Sequence, residues 1–433
     1  MWIRAHTLPE KFKFSLYSGL LNSRTNTHDA YAALRLPDFR RYFAGHIMMT
    51  LGWQMQKVAV GWEIYERTGS AFHLGFAGLV QYMPMVFFAL VAGHVTDSFN
   101  RKYVLMGSVG ANVIAALGLA LNSALGGSLF ILYACLFAMG TARAFAMPAR
   151  QAFLPRIIPL SIFSNAASWN ASGFEIATMT GPAIGGLLIG FFRSATLAYV
   201  IAALGALTFF ILVSRIIYVH QVQPRTPLTI HSLSAGFRYV WHKQLILSAI
   251  LLDMFGVLLG GATALMPIFA KDILHVGPRG LGWLMAAPSI GAFSMALFQA
   301  HRGPLRRAGR TLLIAVGGFG IVTIVFGISS NFWLSMAMLS LLGACDNLSV
   351  VIRNTMVQVL TPDEMRGRVS ALNALFIGTS NELGAFESGL IAGFFGPVVS
   401  VVSGGVGTLV VVAAIAWLFP QLRRYGRLDP LPH

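Results

Sequence analysis

Runs of about 20 apolar residues, broken by short polar stretches, recur along the 433-residue chain. That length is what an α-helix needs to cross a hydrocarbon layer about 30 Å thick. The runs predict spans over residues 42–65, 72–93, 103–124, 129–150, 166–192 and 195–218, then 245–270, 280–300, 310–328, 332–352, 369–395 and 398–419. An all-α membrane protein of 12 transmembrane helices follows. The chain divides into an N-terminal segment 1–41, a six-helix half 42–218, a linker 219–244, a second half 245–419 and a tail 420–433. Within the linker, Ser232 to His242 carries apolar residues at helical spacing and predicts an amphipathic helix on the inner surface. Residues 1–38 lack a signal-peptide pattern and mix Arg4, Lys11 and Lys13 with Trp2, Phe12, Phe14 and Tyr17. Either an interfacial segment or a disordered one would look like this.

The two halves repeat each other. A shift of 203 residues places Arg150 on Arg353, Pro159 on Pro362, Asn170 on Asn373 and Ala171 on Ala374. It also places Gly181 on Gly384, Gly186 on Gly389 and Gly190-Phe191-Phe192 on Gly393-Phe394-Phe395. Chance glycines cannot supply an ordered Arg, Pro and Asn as well. Such repeats predict a substrate site at their interface near mid-membrane and rocking of the halves for alternating access.

Composition agrees: 56% of residues are hydrophobic and 11% charged, against about 25% charged in soluble domains. Cys135 and Cys345 lie in apolar runs, so neither a disulfide framework nor a metal motif is expected. The net charge of +16 changes the picture only through its placement. On alternate loops beginning with the N-terminus, 26 of the 31 Lys and Arg residues fall on one side. The positive-inside rule then puts both termini in the cytoplasm and assigns the excess charge to orientation and anionic lipid, not nucleic acid.

Between the second and third spans lies Gly93 to Lys102, an island with Asp97 four residues before Arg101 and Lys102. A charge latch at the membrane surface is one reading, and a solvated turn is the other. With two six-helix halves, the pattern G-x-x-x-D-x-x-x-R-K resembles the major facilitator superfamily, with Ser98 where the family has a base. Pro148 to Pro155, Thr361 to Ser370 and Asn381-Glu382-Leu383-Gly384 resemble its enterobactin-exporter and macrolide-efflux branch. The resemblance runs from about Leu34 to Arg424 and implies a bacterial inner-membrane exporter driven by proton exchange, with no cofactor beyond the gradient. Gly181-Pro182-Ala183-Ile184-Gly185-Gly186 resembles the family's antiporter motif, with Ala177 where another glycine stands; close helix packing alone is the alternative.

Charged residues in a bilayer are costly and so mark function. The resemblance puts helix seven on the cavity, which makes Asp253 the first proton-coupling candidate, followed by Glu175, Glu382 and Asp346. A fixed polar partner for Asp253, and interhelix hydrogen bonds for Glu175 and Glu382, are the alternatives. The repeat pairs Arg143 with Asp346, suggesting a contact that forms on inward closure; Arg143 as a positive-inside anchor is the alternative. Gly93, Asp97, Arg101 and Lys102, with the inner end of helix eleven, would latch the outward-open state. Lys57, midway along helix one, needs a partner, and Glu382 lies at comparable depth. Trp53, Gln54, Tyr82, Trp169, Asn170, Phe255, Asn373 and Asn381 could line a cavity for a bulky amphiphile, or pack against helices and lipid.

The expected function is therefore a monomeric secondary exporter of amphiphilic compounds such as drugs or siderophores, surrounded by lipid. A different cargo, such as a metal ion, lysolipid or metabolite, is the alternative; Cys345 beside Asp346 would serve a soft metal. An enzyme finds little support, since neither a phosphate-binding glycine loop nor H-E-x-x-H is present.

Overall fold

The computed structural model describes residues 29–218, 237–301 and 307–426. Twelve long helices cross the molecule: α1 (Pro37–Thr68), α2 (Ala71–Ser98), α3 (Arg101–Ala124), α4 (Leu129–Phe153), α5 (Phe163–Phe192) and α6 (Thr196–Ser214) form the first half. The second comprises α7 (Gln244–Leu259), α8 (Gly277–Ala300), α9 (Ala308–Ile328), α10 (Phe332–Leu360), α11 (Asp363–Phe395) and α12 (Pro397–Leu418), followed by the short α13 (Pro420–Arg424). Beyond Leu259, α7 continues as the 3-10 turn Ala262–Leu265, the single turn Met266–Ile268 and the π-helical turn Phe269–Ile273. Four helices, α1, α2, α10 and α11, outrun the apolar spans by a turn or more, because amphipathic ends continue a helix past the hydrocarbon layer. Thus α1 begins at Pro37, where proline suits the first turn, instead of at 42.

Ten of these helices are long and apolar enough to cross a membrane. The other two long helices are α1 and α11, which carry Lys57 and Glu63, and Glu382 and Glu387. Outward side chains such as Phe130, Ile114, Ile314 and Trp417 are more than 70% exposed, which only an apolar solvent accommodates in such number.

Both described ends of the chain lie on one side, hereafter the terminal face; the opposite side is the far face. In the first half α1 packs on α5 and α6, α4 on α2 and α3, and α3 on α6. The second half repeats this, with α7 on α11 and α12, α10 on α8 and α9, and α9 on α12. Small residues set these approaches, as expected where lipid offers no hydrophobic drive between helices. Gly140 on α4 abuts α2 beside Pro84, and Gly343, its repeat mate, abuts α8 at Pro288.

The halves meet through two related helix pairs, α5 with α8 and α2 with α11. Gly186 and Gly389, paired by the repeat, make close backbone approaches across the halves. A Cβ on Gly186 would stand 2.6 Å from Gly282 Cα, and one on Gly389 would stand 2.8 Å from Gly75 Cα. These contacts lie toward the far face, where one apolar core joins Val58, Leu119 and Leu136 to Phe269, Leu281 and Phe326. Toward the terminal face each half keeps its own core, one around Leu105, Phe153 and Phe209 and another around Leu312, Ile352 and Met356. A Cβ on Gly93 or Gly367, at the terminal-face ends of α2 and α11, would meet nothing within 4 Å. Among the described residues, the halves share a core at the far face and keep separate cores toward the terminal face.

Of the amphipathic linker helix, residues 237–242 are described and helical. Val240 is buried beside Ile246 and Val357, while Phe237 and Trp241 stack outward at 5.7 Å, as an interfacial helix would present them. Tyr239 donates to Leu360 O at 3.1 Å and so caps an open carbonyl at the end of α10. Residues 1–28, 219–236, 302–306 and 427–433 lie outside the described residues, among them all but residues 29–38 of the N-terminal segment 1–38 read from the sequence.

Candidate functional site

At the closed apex between the halves, polar side chains converge from α1, α2, α4 and α11. Trp53 and Lys57 lie one turn apart on α1, so both point the same way. Lys57 Nζ stands 4.6 Å from the centre of the Trp53 ring, and the Arg143 guanidinium from α4 stands 4.8 Å from it. Both cations sit within cation–π range of one indole. Glu382 faces them from the other half, within electrostatic reach of both. It lies against α2, where a Cβ on Gly78 would stand 3.2 Å from its Oε2. One turn nearer the terminal face, Tyr82 Oη and Thr379 Oγ1 share a hydrogen bond of 3.2 Å across the halves. Lys57 and Arg143 remain exposed although they lie mid-membrane, so they line the opening instead of the packed interior. The arrangement can hold a charged, flat ligand between the halves.

A second polar cluster is private to the C-terminal half. Asp253 on α7 is ion-paired with Arg353 on α10, both almost fully buried. Ser349 Oγ donates to Asp253 Oδ1 at 3.4 Å. Asp346 joins them around a cavity of about 10 Å³, room for roughly one water. The N-terminal half has a counterpart at the repeat mate of Arg353: Arg150 Nη1 lies 2.6 Å from His46 Nε2. Asn373, the mate of Asn170, donates to Asn354 Oδ1 at 3.2 Å. Each half is thus tied internally through an arginine on its fourth helix.

At the far face, Tyr65 Oη donates to Asp272, and Lys271 Nζ stands 5.6 Å from the Tyr65 ring. Asp272 and Lys271 belong to the π-helical turn that ends α7, which swings them toward α1. This contact ties the halves together, and sequence reasoning missed it, since nothing local marks a π-turn. Glu63 is held within the first half by Arg67 and by the Tyr199 hydroxyl at 2.6 Å.

Other sequence candidates fall as follows. Gly181 and Gly185 press on α1 at Gln54 and Met55, while Gly186 presses on α8; Pro182 O also faces Gly282. Gln54 is buried in that packing. Trp169 donates to Ala30 O at 2.9 Å and packs on Tyr31 and Phe43 at the terminal face, away from the apex. Phe255 is partly exposed on α7, and Asn381 bonds back to Ile377 O in its own helix. Glu175 is half-buried on α5. No ion pair joins Arg143 to Asp346 among the described residues; Arg143 meets Trp53, and Asp346 meets the cluster around Asp253.

The Gly93–Lys102 island is mostly helix. α2 runs through Ser98 and α3 starts at Arg101, with Asn100 capping it by accepting from Lys102 N at 3.0 Å. Lys102 Nζ donates to Ser214 O and Ile216 O, each at 2.8 Å, neutralising the end of α6. Arg101 is buried, and the Asp97 side chain lies outside the described residues.

Comparison with known proteins decides the family. The family described as "Transmembrane secretion effector", of the major facilitator type, matches residues 28–432. The chain belongs to that family. This transporter is 27% identical over 397 residues to an enterobactin exporter, EntS, of Shigella boydii serotype 18, covering 91% of this chain and 94% of that protein. The same figures hold for the enterobactin exporter of Escherichia coli O1:K1. Among solved structures it resembles a bacterial homologue of the human lysosomal transporter Spinster, inward-facing and unoccupied, with TM-score 0.70, 16% identity, and coverage of 90% and 98% of the two chains. The peptide transporter PepTSo gives TM-score 0.71, 11% identity, and coverage of 89% and 98%. These structural likenesses establish the fold. The protein is a multi-pass membrane transporter of the enterobactin-exporter branch and not an enzyme.

Proposed function

We propose that this transporter is a proton-coupled exporter of amphiphilic small molecules, siderophore-like or drug-like, working as a monomer in a bacterial inner membrane. The observation that carries the reading is the apex cluster. Lys57, Trp53 and Arg143 of one half lie within electrostatic reach of Glu382 of the other, between the two halves. The clustering of basic residues near the termini supports a cytoplasmic terminal face, so the open state receives cargo from the cytoplasm. The naming of its relatives as enterobactin exporters supports the direction and the amphiphilic cargo.

Coupling is assigned to Glu382. Asp253, the leading sequence candidate, is already paired with Arg353 inside one half, where rocking leaves its surroundings unchanged. Glu382 lies between the halves, so its access to either side changes as they rock. In proteoliposomes, an amphiphilic dye added to the wild type should move protons against it. Glu382→Gln should lose gradient-driven accumulation while keeping dye exchange. Full concentrative transport by that variant would remove the assignment, and wild-type protein that moves no dye would remove the amphiphile reading.

A further inference from the structure

The apex cluster holds more positive than negative charge. Lys57 and Arg143 face the single carboxylate of Glu382, and among the described ion pairs neither base has a carboxylate within the 4.0 Å contact distance. Their separation, bounded by their distances to one indole, falls within about one Debye length of 8–10 Å. Two like charges held this close in a partly dehydrated site repel each other, and one indole offsets little of that repulsion. Both side chains nevertheless remain exposed to the opening. A site so built lacks one negative charge, and the partly exposed Trp53 indole stands beside both cations.

We infer that Lys57, Trp53 and Arg143 form a subsite for a planar aromatic acid, an aryl carboxylate or sulfonate. Glu382 acts as the internal counter-ion while the subsite is empty. The inference rests on the exporter reading and sharpens it, because it demands a full negative charge on the cargo's ring. The anion lies between the two cations with its ring against the indole. It takes over the balancing of charge from Glu382 and loosens the electrostatic tie that Glu382 makes across the halves. An aryl amide offers the same shape without the charge and leaves the excess positive charge uncompensated.

Binding of 2-naphthoate and of 2-naphthamide to the full-length protein in nanodiscs tests this by calorimetry, without any need for transport. Naphthoate should bind at least about tenfold tighter than the amide, the scale of one charge-assisted contact. Lys57→Met and Arg143→Met should each remove that preference, and Trp53→Leu should weaken both ligands. Glu382→Gln should strengthen naphthoate binding severalfold and leave the amide unchanged. A misfolded variant cannot produce that gain, so it is the deciding result. Equal binding of the two ligands by the wild type, or Glu382→Gln that leaves naphthoate unchanged or weaker, overturns the subsite. If naphthoate binds as stated while the dye assay shows no transport, the exporter reading fails and the subsite stands.

Discussion

At the scale of single residues, the chief division is between polar groups that serve one half and those that bridge two. Asp253 and Arg353 are buried together within the second half. Removing one partner strands the other's charge, so Arg353→Met should cost about 3–5 kcal/mol of stability. Asp253→Leu combined with Arg353→Met should cost much less, measured by unfolding in detergent; additive losses would show that the two are not a pair. The sequence pointed to Arg353 through its repeat with Arg150, and to Asp253 through its depth. It could not join them, because contact between α7 and α10 depends on how the helices cross. The reverse held for Lys57 and Glu382, whose matching depths were legible and whose meeting needed the interface between halves. Asn170 and Asn373 were legible as a pair, yet the repeat alone could not distinguish a shared packing role from a shared ligand.

At the scale of elements, the glycine–proline stretch of α5 faces two ways. Gly181 and Gly185 hold α5 to α1, whereas Gly186 lets α5 touch α8 across the halves. Gly186→Val should keep the first half intact and stop the far face from closing. Spin-label distances across the far face should lengthen, while Gly107→Ala, where a Cβ meets nothing within 4 Å, should leave them unchanged. The π-turn at the end of α7 supplies the other bridge. Tyr65→Phe removes a hydrogen bond to a carboxylate, a contact of about 1.5–3 kcal/mol, and should shift the same distances toward the open far face. An unchanged distribution would make that contact incidental to closure. Helix number and order were plain from the apolar runs. The helix ends were not, because a helix persists past the bilayer wherever its turns stay paired, and the Gly93–Lys102 island proved to be largely helix for this reason.

At the scale of the whole molecule, one shared core at the far face and separate cores at the terminal face define a single state of an alternating-access cycle. A cysteine at Lys57, in protein whose Cys135 and Cys345 are replaced, should react with an impermeant thiol reagent from the terminal face and resist it from the far face. Equal labelling from both sides of oriented vesicles would contradict the described closure. Adding 2-naphthoate should slow that labelling if the ligand lies where the lysine stood.

By itself the sequence determined the solvent this protein lives in, its helices, their two-fold repeat and its family. These follow from length, polarity and order along the chain, which local physics reads directly. Only the tertiary structure decided which polar groups come together: Asp253 pairs with Arg353 inside one half, Glu382 lies within electrostatic reach of Lys57 and Arg143 between halves, and Tyr65 bonds Asp272 at the far face. A hydropathy pattern places a residue at a depth but leaves its direction around the helix and its neighbour open. Those depend on packing, which in a bilayer is set by small residues such as Gly75, Gly186 and Gly389 that let one helix approach another.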